Sequence, residues 1–154
     1  MCYVQSSLHH RQIGWIADDS SLLAPHLYCD ADFAGDIESQ RSTSGIHMTL
    51  EGPNSYFPLH GHSKRQGSIS CSTPEAEIAS GHTGLKNVLM PQLDAWDVLL
   101  GRPYRAIFHE DNQAMIRVIK TGKNPTMRHL RRCHRVDIAW LHERLGGMTS
   151  IPRL

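Results

Sequence analysis

The pattern of apolar and polar positions predicts three β-strands in the first half of the chain. Residues 26–29 form a short β-prone run, and apolar residues alternate with polar ones across 45–50, as in a half-buried strand. The turn residues at 52–54 predict a hairpin whose return strand covers 55–59. Weaker patterns predict a short helix at residues 1–8 and further β segments at residues 11–17 and 67–71.

Helix signals dominate the second half of the chain. Ser72 and Thr73 are both good N-cap residues, and Pro74 suits the first turn of a helix. Apolar residues then recur at helical spacing as far as Leu100, although Pro91 is expected to kink or split this helix. The remaining pattern predicts a strand, two helices and the start of a last strand, at residues 106–108, 114–119, 136–145 and 149–151.

The order of these elements, β-β-β-α-β-α-α-β, predicts an α/β fold with one mixed sheet flanked by helices. The first three strands are joined by short turns and should be antiparallel. The strand at 106–108 follows a long helix and should run parallel to the first strand. At 154 residues, the chain is expected to form a single domain.

Composition and charge narrow the functional classes only slightly. With 16 Lys and Arg against 15 Asp and Glu, a nucleic-acid site would have to arise from local clustering rather than from net charge. The four scattered cysteines include no C-x-x-C pair, which disfavours a disulfide framework and indicates a reducing compartment. The sequence shows no signal-peptide pattern and no apolar run near the ~18 residues of a membrane helix. We therefore expect an intracellular protein of the cytoplasm or nucleus without a membrane partner.

Three acidic residues stand where an active site is expected. Asp30 and Asp111 follow short apolar strands, and Glu77 falls in the first turns of the intervening helix. Active sites of open α/β sheets collect at the carboxyl ends of strands. Three converging carboxylates repel one another and need cations, and oxygen ligands favour Mg²⁺ or Mn²⁺. From the pattern alone, the interpretation of these acids as caps and solvated turn residues is favoured, because acids at strand ends are common.

Spacing helps to choose among neighbouring acids. Glu75 and Glu77 are two residues apart and would point roughly 200° apart on a helix, so they cannot share one site equally. Glu77 adjoins the apolar face, whereas Glu75 suits capping. Asp30 and Asp32 alternate along a strand and could face the same side, and Asp30 is favoured because it directly follows the apolar run.

Five short segments carry distinctive residue combinations. They are YCDADFAGD at 28–36, QRSTSG at 40–45, SKRQ at 63–66, STPEAE at 72–77 and EDNQA at 110–114. In this order they resemble the ribonuclease H domain of copia-type retrotransposon Pol polyproteins. The resemblance covers residues 28–114.

The resemblance implies a ribonuclease H-like fold and an endonuclease that hydrolyses the RNA strand of RNA–DNA hybrids. Asp30, Glu77 and Asp111 would be its catalytic residues and would bind two Mg²⁺ or Mn²⁺ ions. Residues 1–24 would be a connection remnant from a preceding reverse transcriptase, the partner domain in the same polyprotein. Residues 25–154 would be a C-terminally truncated ribonuclease H-like domain, monomeric when isolated. Virus-like particles are a further location that this family implies.

The chain also departs from the family pattern. Residues 132–143 match only loosely, and the fourth metal-binding acid of the family lies beyond its last strand, past Leu154 here. Asp137 is no substitute because its position falls on the preceding helix. A catalytically impaired remnant that still binds nucleic acid is therefore an alternative. A DNA-cutting nuclease or strand transferase and a structural module of a larger polyprotein are further alternatives.

Candidate substrate-binding residues surround these acids. Asn112 and Gln113 follow Asp111 and would hold the sugar–phosphate backbone, and Ser72 belongs to the segment around Glu77. A polar loop offers groups for phosphates or a 2′-OH, although such a run is also an ordinary turn. This loop consists of Arg41, Ser42, Thr43 and Ser44.

Two further clusters were weighed against simpler interpretations. A basic stretch without acids could bind a nucleic-acid backbone or be a solvated loop. It contains Lys120, Lys123, Arg128, Arg131, Arg132 and Arg135. His129, Cys133 and His134 have zinc-ligand types, but zinc is disfavoured because no second ligand pair lies at the expected spacing.

Overall fold

A five-stranded mixed sheet forms the centre of the protein. The computed structural model describes residues 5–124, 127, 129–146 and 149–152, the last of these by their backbone alone. The strands are β1 (Ala24–Asp32), β2 (Thr43–Gly52), β3 (Ser55–Arg65), β4 (Ile107–Glu110) and β5 (Thr149–Pro152), in the order β3-β2-β1-β4-β5. β2 is antiparallel to β1 and β3, whereas β4 is parallel to β1 and β5. The predicted mixed α/β sheet is confirmed.

The strands follow the predicted alternation but are longer than expected. Ile46 and Met48 on β2 and Leu27 on β1 are buried. β3 continues to Arg65 as an exposed, basic edge strand, which discourages pairing with other chains. The prediction for residues 11–17 reduces to one bridge, between Trp15 and Tyr56. Residues 1–4 of the predicted short helix lie outside the described residues.

The predicted strand at residues 67–71 is wrong. This segment is a loop whose polar groups are satisfied by side chains rather than by a strand partner. The amide of Gln66 donates to the carbonyl of Ala76 at 2.9 Å and accepts from the Ser70 hydroxyl at 3.2 Å. The alternation of Ser and Ile resembles a strand, but these bonds fold the segment toward the following helix.

The long helical region is split at the predicted proline. It comprises α1 (Thr73–Gly84), a π-helical turn (Leu85–Leu89), a 3₁₀ turn (Met90–Gln92) and α2 (Leu93–Leu100). Pro91 lies within the 3₁₀ turn, where its missing N–H is tolerated. Three further helices follow: α3 (Gln113–Thr121), α4 (Leu130–Cys133) and α5 (Ile138–Leu145). Asp137 caps α5 by accepting from Ala139 N at 3.0 Å and from Trp140 N at 3.3 Å.

Helix α1 lies unusually close to the sheet. A Cβ atom at Gly84 would lie 2.5 Å from Cys29 Sγ on β1, and one at Gly81 would lie 3.2 Å from Phe108 Cζ on β4. The Ser80 hydroxyl also donates to the carbonyl of Asp30 at 2.8 Å. These contacts hold the second half of α1 against the sheet, and Glu77 lies less than one turn before Ser80. Among the described residues, no helix combines the length and apolar character needed to cross a bilayer.

Candidate metal centre

The three acids selected from the sequence converge at one end of the sheet. Asp30, Glu77 and Asp111 each offer a carboxylate oxygen within 4.8 Å of the others. β1 and β4 are parallel neighbours with Tyr28 paired to His109, so two residues further along Asp30 and Asp111 lie at the same level. α1 brings Glu77 to the same point. The topology therefore produces a group of oxygen ligands suited to a hard divalent cation.

Glu77 is the buried member of this acidic centre. Its residue is 4% exposed, whereas Asp30 and Asp111 are exposed to solvent. Burial, followed by the charges of Glu110, Asp30 and Asp111, raises the pKa of Glu77 to about 8. Its Oε2 has no hydrogen-bond partner among the described residues. A buried, unpartnered oxygen amid like charges is the arrangement that a bound cation would stabilise.

A fourth acid, Glu110, joins the centre and was missed in the sequence. Burial raises its pKa to about 7, with smaller contributions from the charges of Asp111 and Asp30 and an opposing hydrogen bond from Asn112 N. Glu110 Oε1 accepts this bond at 3.0 Å, and Oε2 has no partner in the described part of the chain. The sequence does contain a signal for the position of Glu110. Side chains two residues apart on a strand share a face, so buried Phe108 places Glu110 on the inner face of β4.

The two exposed acids, Asp30 and Asp111, line a cleft whose walls also carry tyrosine and histidine side chains. This acidic cleft has a volume of about 310 Å³. Tyr28 and His109 stack with ring centroids 4.0 Å apart, and His26 Nδ1 lies 2.9 Å from His109 Nε2. The opposite side is formed by β2 and β3 through residues that include Gly45, His47 and His62.

A second, basic cleft begins where the acidic cleft ends. It has a volume of about 600 Å³ and shares His62 with the acidic cleft. Its cationic residues come from β3, from α4 and from the segment after α4, and they are Lys64, Arg65, Arg132 and Arg135. Arg65 is already paired with Asp36 at 2.5 Å. The other three leave a positively charged path beside the carboxylates, which suits a phosphate backbone.

The predicted loop at residues 41–44 divides into inward and outward residues. Ser42 and Ser44 are buried. The Ser42 hydroxyl accepts from Ala34 N at 3.2 Å, and the Ser44 hydroxyl accepts from Gln66 Nε2 at 3.0 Å. Arg41 and Thr43 are partly exposed. The loop therefore offers a guanidinium and one hydroxyl to a substrate.

The other predicted substrate contacts also differ in accessibility. Asn112 caps α3, with its side-chain oxygen accepting from Met115 N at 3.0 Å, whereas Gln113 is exposed. Ser72 occupies the N-cap position of α1 without a side-chain capping bond. In the basic stretch, Arg131 lies 3.7 Å from Asp137. Arg128 lies outside the described residues.

Comparison with known proteins supports the fold alone. No protein-family model and no curated protein matches the chain. It is similar in structure to LC11-RNase H1, isolated from compost by a metagenomic approach, with 17% identity, a TM-score of 0.53 and 84% of each chain covered. RNase H1 from the halophilic archaeon Halobacterium salinarum NRC-1 gives 18% identity and a TM-score of 0.44, with 84% of this chain and 86% of that chain covered. The likeness to LC11-RNase H1 confirms the predicted ribonuclease H-like fold.

Proposed function

We propose that this chain is an endonuclease domain that hydrolyses the RNA strand of RNA–DNA hybrids. The observation that carries the proposal is the convergence of Asp30, Glu77 and Asp111 within 4.8 Å at a strand end. The ribonuclease H-like fold and the adjoining basic cleft support the same activity. The solved relative with the higher TM-score is itself named an RNase H1.

The donor set fits divalent magnesium or manganese. Asp30, Glu77 and Asp111 would be the ligands, and two ions are proposed because exposed and buried carboxylates meet at the same point. Bound ions would polarise the scissile phosphate and lower the pKa of an attacking water. Burial, followed by repulsion from the neighbouring acids, raises the pKa of Glu77, so a bound cation would replace its proton and stabilise the carboxylate. Glu110 adds a further negative charge from the inner face of β4.

The basic cleft is the proposed path for the nucleic-acid backbone. Lys64 and Arg132 extend from opposite walls and are exposed, so both can approach phosphates without desolvating a buried partner. Arg41 and Thr43 stand at the start of β2, the strand whose Gly45 lines the acidic cleft. Their guanidinium and hydroxyl are proposed to contact the strand nearest the carboxylates.

The wider biological context is also a proposal. The five segments that resemble copia-type Pol polyproteins support a retrotransposon origin and a reverse transcriptase domain as a covalent partner. Residues 1–24 are proposed as the connection to that domain. A catalytically impaired form that binds hybrids without cutting them remains the alternative, because Asp137 caps α5 and does not supply the fourth acid of the copia-type pattern.

One cleavage assay separates these functions. The chain is incubated with labelled RNA–DNA hybrid, double-stranded RNA or double-stranded DNA, each with Mg²⁺ or Mn²⁺. Cleavage of the hybrid alone, lost in Asp111→Asn but kept in Asp97→Asn, would support the proposal. Asp97 is a matched control because it is an exposed aspartate on α2.

Two other outcomes would contradict the proposed function. Binding of the hybrid without cleavage in either metal would establish the impaired form. Cleavage of double-stranded DNA would indicate a nuclease with a different substrate. Circular dichroism of each variant would show whether a loss of cleavage reflects the site or the fold.

A further inference from the structure

A second cluster of metal-ligating side chains lies apart from the acidic centre. Cys71, Glu75 and His129 each offer one ligand atom, and these atoms all lie within 4.8 Å of one another. Cys71 precedes the N-cap of α1, Glu75 lies in its first turn, and His129 precedes α4. The cluster therefore brings together the start of α1 and the segment before α4, since Glu75 and His129 are 54 residues apart in sequence.

Helix geometry separates this cluster from the acidic centre. Glu75 and Glu77 are two residues apart on α1, so their side chains point roughly 200° apart around the helix axis. Glu77 reaches the ends of β1 and β4, whereas Glu75 reaches the loop before α1 and the start of α4. The two groups share no residue.

The carboxylate of Glu75 is buried against imidazoles. Its side chain is 2% exposed, and Oε2 accepts from Cys71 N at 3.0 Å and lies 3.2 Å from His129 Nε2. Its other oxygen, Oε1, lies 3.0 Å from Nε2 of His134, whose side chain is 4% exposed. These two atoms are not aligned as a hydrogen bond, and neither has another partner among the described residues.

A buried carboxylate without a lysine or arginine partner calls for another cation. Among the ion pairs of the described residues, Glu75 meets only His129 and His134, and the nearby Arg131 pairs with Asp137 instead. A buried carboxylate is strongly destabilising unless a positive charge compensates it. An imidazolium would supply one positive charge, but it would leave the exposed thiol of Cys71 without a role.

The separation of the Glu75 and His129 donor atoms is compatible with a zinc site. In a tetrahedral site with Zn–N and Zn–O bonds of about 2.0–2.1 Å, neighbouring ligand atoms lie about 3.3 Å apart. The 3.2 Å separation of His129 Nε2 and Glu75 Oε2 is close to this value. A thiolate with an imidazole selects zinc over magnesium, which prefers oxygen alone.

We propose that Cys71, Glu75 and His129 bind one Zn²⁺ ion. Cys71 is exposed and the His129 side chain is 41% exposed, so the fourth position faces solvent and takes water. His134 holds the second oxygen of Glu75 and orients the carboxylate, as outer partners of metal ligands do. The sequence spacing around residues 129–134 does not reveal this site, because two of the proposed ligands come from the loop before α1 and from α1 itself.

The ion would clamp the two segments that frame the basic cleft. The Ser68 hydroxyl already donates to the carbonyl of Cys133 at 2.6 Å, which joins the same two segments. One segment leads into α1 and hence to Glu77, and the other carries Arg132. The zinc ion would thus link these two segments, and its binding does not depend on the proposed nuclease activity.

Cobalt substitution tests this site directly. Tag-free protein in a phosphine reductant is titrated with Co²⁺, excess Mg²⁺ being present to occupy the acidic centre. We expect one equivalent to give the near-ultraviolet charge-transfer absorption of a cobalt thiolate, and Zn²⁺ to displace it stoichiometrically. Zinc should also raise the melting temperature in this buffer.

Variants distinguish the proposed ligands from other donors. Cys71→Ser should abolish the thiolate absorption, and His129→Gln should weaken binding by more than about tenfold, as should His134→Gln through loss of orientation. Cys133→Ser, Cys2→Ser and Asp111→Asn should keep the absorption, because none of these residues is a proposed ligand of the zinc ion. Cys133 is the matched control, since it is also an exposed, free cysteine.

Two results would overturn the proposal. The first is titration without any thiolate absorption. The second is an absorption that survives Cys71→Ser but disappears in Cys133→Ser. Because Cys71 is exposed, its replacement by serine should not prevent folding, so the comparison remains interpretable.

Discussion

Replacing Glu77 with glutamine should stabilise the metal-free protein, even though Glu77 is a proposed metal ligand. Burial, followed by the charges of Glu110, Asp30 and Asp111, raises the pKa of Glu77 from 4.5 to about 8. Between these values the unfolded chain releases a proton that the folded chain keeps, so the free energy of unfolding falls as pH rises. Above about pH 8 both states are ionised and the loss is complete.

The magnitude of this effect follows from the size of the shift. A change from 4.5 to about 8 corresponds to roughly 5 kcal/mol without screening. Asp30 and Asp111 are exposed, and solvent screens their charges, so we expect the variant to gain ~2 kcal/mol over the wild type near alkaline pH. Near pH 5 the wild-type carboxyl is protonated in the folded state, and the gain should be close to zero.

Urea unfolding in EDTA across this pH range measures the effect as a change in the midpoint. Glu38→Gln is the matched control, because Glu38 is an exposed glutamate outside the acidic centre and its replacement should give no such pH dependence. Adding Mg²⁺ should stabilise the wild type more than Glu77→Gln, because only the wild type keeps the full ligand set. Equal or lower stability of Glu77→Gln in EDTA at alkaline pH would refute the reasoning.

Three further predictions concern the acidic centre, the packing of α1 and the basic cleft. Mg²⁺ binding near neutral pH should release protons, since the two buried carboxyls have pKa values of about 8 and about 7; calorimetry in buffers of different ionisation enthalpy would detect this release. Gly84→Ala should lower the free energy of unfolding by about 1–3 kcal/mol, because its Cβ would lie 2.5 Å from Cys29 Sγ. Gly67→Ala, with open space around its Cβ, should change it by less than about 0.5 kcal/mol in the same urea titration. Lys64→Gln and Arg132→Gln should each weaken hybrid binding and reduce the slope of log affinity against log salt by about 1, as measured by fluorescence anisotropy.

The fold was largely predictable because its signals are local. The alternation across β2, the hairpin turn and the helix start at Thr73 each depend on residues within a few positions of one another. The segment at 67–71 shows where this fails. Its alternation is genuine, but the bond from Gln66 to the carbonyl of Ala76 closes a loop instead of a strand. A contact between the side chain of one element and the backbone of the next leaves no periodic trace in the sequence.

The strand alternation predicts which side chains near the site point toward the core and which point toward solvent. Ile46 faces the core, so a strict period of two places Ser44 and Ser42 on the same inner side, where they are buried. The same rule applied from Phe108 places Glu110 inside. Which acids meet could be predicted from the topology, but how strongly their charges interact depends on burial, which requires the packed structure.

The two candidate metal sites are structurally linked, because helix α1 carries a proposed ligand of each, Glu75 and Glu77. Ser72 makes no capping bond with its side chain, and Glu75 instead accepts from Cys71 N at the start of α1. On one side the Ser80 hydroxyl joins the helix to β1, and on the other Glu75 joins it to His129. Glu77 lies between these attachments. A cation that neutralises Glu75 would therefore also restrain the buried carboxylate of Glu77, because one rigid turn of helix carries both side chains in opposite directions.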